Sequence, residues 1–106
     1  MTIFNIPTKK GIPSYELSIV LDGVNYFLLF RYNGRMKRWV LDIFDDTRTL
    51  LLAGMLIRAQ LDIFYQYYNP GIPKGLLFGY NIDGTFTPPE FGDLGDNTLL
   101  LYEDSP

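Results

Sequence analysis

Two dipeptides constrain this chain more than anything else in it: Asp22-Gly23 and Asn33-Gly34, each set between runs of alternating apolar residues. A two-residue hairpin loop of type I′ needs positive φ at both central positions, which Asn, Asp and Gly adopt at least cost. With two-residue loops at both sites, Tyr15 to Phe44 becomes a three-stranded antiparallel meander whose register follows by counting. Leu21 then faces Val24, Ile19 faces Tyr26, Leu17 faces Leu28 and Tyr15 faces Phe30. Across the second turn Leu28 faces Trp39, Tyr26 faces Leu41 and Val24 faces Ile43. Both turns put the same set on one face: Leu17, Ile19, Leu21, Val24, Tyr26, Leu28, Phe30, Trp39, Leu41 and Ile43. A one-residue slip would turn that whole set toward water, so the register is strongly specified.

The opposite face carries Glu16, Ser18, Asn25, Arg31, Arg38 and Asp42, but also Val20, Phe27, Leu29 and Val40. It is too apolar for an ordinary solvated face. Either a second layer of the same chain covers part of it, or a partner does.

A chain of 106 residues has room for one core. The expected organisation is an extended N-terminal arm over residues 1–14 and a single β domain over 15–106. Pro7, Gly11 and Pro13 break the arm, and its apolar start (Ile3, Phe4, Ile6) implies that it lies against something, its own domain or a neighbour. Mean hydropathy is +0.03, the uncharged runs are short for a membrane span, and the first residues do not read as a signal peptide. No membrane association is expected.

Past the meander, Asp45-Asp46-Thr47-Arg48 reads as a turn, and residues 49–57 read as a strand with a bulge or close approach at Gly54. Residues 60–67 fit either a strand or a short helical turn. Leu76 to Asn81 reads as a strand, Asp83-Gly84 as a turn and Leu99 to Tyr102 as a last strand, with irregular loops near 65–75 and 85–96. The expected fold is therefore all-β, a small antiparallel barrel or compact sandwich of six to seven short strands.

Function classes narrow by composition. With no histidine and no cysteine, Ser-His-Asp and Cys-His catalysis, His-based zinc sites and disulfides are all excluded. Asp42, Asp45 and Asp46 lack the alternating spacing of a calcium loop, so turn capping accounts for them better; Asx-turns account equally for Asp93 and Asp96. No residues are assigned as catalytic, cofactor-binding or metal-binding. The group Arg31, Arg35, Lys37, Arg38 with Tyr32 and Trp39 could form a nucleic-acid platform. The charge distribution argues against that as the main role: residues 1–74 hold all nine Lys/Arg and six acids, net +3, whereas residues 75–106 hold six acids and no base, net −6. The tyrosines Tyr65, Tyr67 and Tyr68 beside Asn69-Pro70-Gly71 are either a docking patch for a neighbouring subunit or the rim of the core. Candidate interface residues are thus Ile3, Phe4, Ile6, Phe27, Leu29, Tyr65, Tyr67 and Tyr68. An alternative reading is a carbohydrate- or ligand-binding module that uses Trp39 and the tyrosines as stacking platforms, and a third is a histidine-free carboxylate hydrolase.

The order of landmarks resembles the cyanophage-type baseplate plug family of small phage tail proteins. The matching residues are Leu21-Asp22-Gly23-Val24-x-Tyr26, Arg31-x-Asn33, Trp39-x-Leu41-Asp42-Ile43, Gly54-x-Leu56, Leu76-Leu77, Phe91-Gly92-Asp93-Leu94-Gly95 and Leu100-Leu101-Tyr102. The resemblance spans roughly residues 15–103 and rests on spacing and order. It implies a structural subunit of a contractile-tail virion, assembled in the host cytoplasm and seated in the baseplate near hub and tube. It also implies no catalysis, no cofactor, and partners among hub, tube and wedge proteins, with multiple copies in a symmetric assembly.

Overall fold

The computed structural model describes residues 3–58, 62–64, 71–84 and 89–104. Its seven strands are β1 (Ile3–Ile6), β2 (Ser14–Leu21), β3 (Val24–Asn33), β4 (Arg38–Phe44), β5 (Leu50–Leu56), β6 (Leu76–Asn81) and β7 (Thr98–Glu103). They form two antiparallel sheets, a four-stranded one in the order β2-β3-β4-β5 and a three-stranded one in the order β1-β7-β6. The fold is an all-β sandwich.

The first hairpin has the expected register, with Leu21 opposite Val24 and Tyr15 opposite Phe30. Asp22 (φ 52°) and Gly23 (φ 78°) supply its two positive-φ positions. The second hairpin departs from the two-residue reading. Asn33 pairs with Arg38 across a four-residue loop, so Leu28 faces Ile43 and Phe30 faces Leu41. The reason is local: the Asn33 side-chain oxygen accepts the backbone amides of Arg35 and Met36, both at 3.1 Å. Asn33 therefore caps the loop instead of occupying its centre, and the positive φ falls on Lys37 (54°). The displacement is an even number of residues, so the apolar set stays on the same face. Trp39, Leu41, Ile43, Leu28 and Phe30 are all fully buried.

Strand β5 is bulged, as Gly54 suggested. Its pairing with β4 shifts twice near Ile43, and Gly54 takes φ 73°. The Gly54 amide donates to Asp42 Oδ1 at 2.8 Å, so this carboxylate on the outer face is held by the bulge. Open space surrounds the position where a Cβ would sit. Gly54→Ala should thus cost only the backbone term, roughly 1–2 kcal/mol. A urea titration finding no loss would sink that assignment.

Within the segment read as an arm, Ile3–Ile6 pairs with β7 as an edge strand. Most of residues 60–67 lie outside the described residues; of that stretch Ile63 and Phe64 are buried in a turn. There the Ile63 amide donates to the Leu77 carbonyl at 2.6 Å, and the Leu77 amide donates to Asp62 Oδ1 at 3.1 Å. These bonds cap the edge of β6 that faces away from β7.

One core joins the two sheets. Trp39 is fully buried in it, with Tyr32 at 5.4 Å and Phe91 stacked at 6.1 Å between ring centroids. Its indole N–H donates to the Glu90 carbonyl at 2.9 Å. At one end of the sandwich the Tyr102 hydroxyl donates to Asp22 Oδ2 at 2.5 Å and accepts the Gly75 amide at 2.8 Å. That pair fastens the first hairpin turn to the middle strand of the other sheet. Gly79, in β6, lets the backbone approach residue 58: its amide donates to the Arg58 carbonyl at 2.8 Å, and a Cβ there would lie 2.7 Å from the same oxygen.

Candidate interaction surfaces

Alternation along each strand sorts residues between the core and two outer faces. On the four-stranded sheet the outer face brings together Phe27, Leu29, Val40, Phe44, Leu50 and Leu56. Charged side chains of the same chain partly close this face. The Arg48 guanidinium lies over the Phe27 ring, 4.1 Å from its centroid, and its Nη1 donates to Glu16 Oε1 at 2.8 Å. Arg31 donates to Asp42 Oδ1 at 3.0 Å beside it. Phe27 and Leu29, singled out from the sequence, are accordingly half-buried.

The outer face of the three-stranded sheet is different. Register places Ile3 with Glu103 and Leu76, Asn5 with Leu101 and Phe78, and Leu99 with Tyr80. Ile3 is 56% exposed, Leu76 47% and Tyr80 42%. Asp62, Leu76, Phe78, Tyr80 and Glu103 line a cleft of about 340 Å³ on this face. Neither Asp62 nor Glu103 pairs with a Lys or Arg among the described residues. Sequence reasoning missed this face. The available signal was that Leu76-Leu77-Phe78-Gly79-Tyr80 and Leu99-Leu100-Leu101-Tyr102 are apolar at both parities, as in β3.

The other sequence candidates separate. Phe4 is exposed on β1 at 43%, whereas Ile6 is wholly enclosed in the chain's own core and drops out of any surface. Tyr65, Tyr67 and Tyr68 lie outside the described residues. Trp39, the platform of the carbohydrate reading, is fully buried and has no face to offer a sugar, and Tyr15, Tyr26 and Tyr102 are core residues as well.

The carboxylates near the turns are occupied by the chain. Asp45 accepts the hydroxyl and amide of Thr47 and the amide of Thr49, and these bonds, the Thr47 hydroxyl first, hold its carboxyl below the usual range. Asp93 accepts the Glu90 amide at 3.0 Å, and Asp96 pairs with Lys10 at 2.9 Å.

Residues 3–105 match the model of a protein family described as cyanophage baseplate Pam3 plug gp18. The chain belongs to this family. It is therefore a structural protein of the phage tail baseplate, located in the virion and working among other baseplate and tail proteins. No individual curated protein matches the chain. The family match covers both sheets and so takes in each of the outer faces described above.

Proposed function

We propose that the protein is a plug-like subunit near the hub and tube, acting through protein–protein contact and without catalysis. One observation carries the reading: the outer face of β1-β7-β6 is apolar, with Ile3, Leu76 and Tyr80 each more than two-fifths exposed. A small soluble domain rarely leaves such a face open unless something docks there. Ile3 continues this face onto edge strand β1, Phe4 is exposed on the other side of that strand, and Tyr65, Tyr67 and Tyr68 remain contact candidates from the sequence, with hub, tube or wedge proteins as the partners. Family membership and the lack of histidine and cysteine support a structural role.

The test is assembly. The double variant L76S/Y80S changes only exposed side chains, so its unfolding midpoint should move little, within about 0.5 kcal/mol. Its incorporation into phage particles, measured by immunoblot of purified virions, should fall by about tenfold or more, since interface anchors typically contribute 1.4 kcal/mol or above. Normal incorporation at normal stability would remove this face from the docking reading.

A further inference from the structure

Among the described residues one aromatic-carboxylate seat holds a cation and another does not. On the four-stranded sheet, Phe27 and Glu16 receive Arg48. On the three-stranded sheet, Phe78, Tyr80, Glu103 and Asp62, whose Oδ1 accepts the Phe64 and Leu77 amides, offer the same chemistry around an open cleft, and neither acid pairs with a cation among the described residues. An arginine or lysine stem lies well on apolar surface, and its head is held by aromatic faces and carboxylates together.

A matching element exists in the chain itself. The loop between β3 and β4 presents Arg35, Met36 and Lys37, all exposed, with Met36 at 53%. Neither Arg35 nor Lys37 pairs with an acid among the described residues. The loop is held in shape by Asn33. The Leu76–Glu103 end of the cleft and the basic loop also lie at opposite ends of β3. Glu103 and Leu76 adjoin Tyr102 and Gly75, which are bonded at the Asp22 turn at the start of β3. The basic loop follows the far end of that ten-residue strand, a run of roughly 30 Å at about 3.3 Å per residue.

We propose that the cleft lined by Leu76, Phe78, Tyr80, Asp62 and Glu103 receives the Arg35-Met36-Lys37 loop of a second copy of this chain, in a head-to-tail contact. Met36 fills the apolar floor, and the two bases meet the two acids. A head-to-tail contact closes into a ring if its rotation permits and otherwise extends as a stack. The inference rests on the reading of this face as a docking surface.

The experiment is sedimentation equilibrium of the purified full chain over a range of concentrations, at low and high salt. Wild-type protein should self-associate at low salt and dissociate as salt screens the contact. Glu103→Lys and the double variant R35E/K37E should each weaken association by about tenfold or more. Combining the two sets should restore it, which a folding defect in either parent could not do. Glu103→Gln and R35Q/K37Q give milder weakening in the same direction. Self-association indifferent to these changes would overturn the proposal. So would a wild-type monomer at all concentrations; if L76S/Y80S still blocked incorporation, the face would dock a different protein and the docking reading would stand. Wild-type monomer together with normal incorporation of L76S/Y80S would end both.

Discussion

Trp39→Ala should lose about 3–5 kcal/mol of stability, the largest effect expected from any single side chain in this protein. The residue is fully buried, contacts Tyr32 and Phe91 through its ring, and donates its N–H to the Glu90 carbonyl. Alanine removes the aromatic area, opens a cavity between β4 and the loop that carries Glu90 and Phe91, and leaves that carbonyl without its indole partner. Against a total of roughly 5–15 kcal/mol for an ordinary domain, such a loss is most or all of the margin. It is the only tryptophan, so the measurement is urea unfolding followed by far-UV circular dichroism, not indole fluorescence. A loss under about 1 kcal/mol would show that the indole does not organise the core.

Tyr102→Phe should have the second-largest effect, and it carries a pH signature. The substitution keeps the ring and removes the hydroxyl that bonds Asp22 and Gly75. Hydrogen bonds to charged groups contribute about 1.5–3 kcal/mol, and this is the expected loss near neutral pH. Burial chiefly, then donation to Asp22, pushes the Tyr102 hydroxyl well above the ordinary tyrosine range. Burial does the same, to a lesser degree, for Tyr15 and Tyr26. The protonated phenol is thus favoured in the folded state. Its contribution is complete below the unfolded value of about 10 and is lost as pH rises through the folded value. Stability should therefore decline above about pH 10, with each such tyrosine adding up to about 1.4 kcal/mol per pH unit to the slope. Tyr102→Phe should show a shallower alkaline limb than wild type. Parallel limbs would mean that Tyr102 ionises freely in the folded protein.

Much of this architecture could be read from residue order because it rests on period-two patterning and turn chemistry. Asp22-Gly23 fixes the first hairpin to the residue, and Gly54 marks the β5 bulge. Asn33 shows the limit. The same Asn-Gly pair can sit at the centre of a two-residue loop or cap a longer one, and the choice turns on side-chain bonds to Arg35 and Met36 that spacing does not reveal. The faces were still right, because moving the register by four residues preserves parity. The open face of β1-β7-β6 was harder. Its residues come from strands more than seventy positions apart, and no local pattern shows that Ile3 and Leu76 flank the same β7 residue, Glu103. Ile6 illustrates the converse, since an apolar arm residue looks equally suited to a neighbour or to its own core.

The placement of β7 between β1 and β6 bears on how a nascent chain folds. Strands β2 to β5 are joined by hairpin neighbours and can zip together while the ribosome is still working. Strand β1 has no such option. Its hydrogen-bonding edge waits for residues 98–103, so Ile3–Ile6 stays unpaired until β7 has been made. The contacts that shut the sandwich, Tyr102 on Asp22 among them, span 80 residues of sequence, which makes closure slow compared with formation of the meander. A ribosome stalled before β7 would hold a finished four-stranded sheet with its apolar side uncovered, a natural substrate for chaperones and a hazard when many copies are made at once.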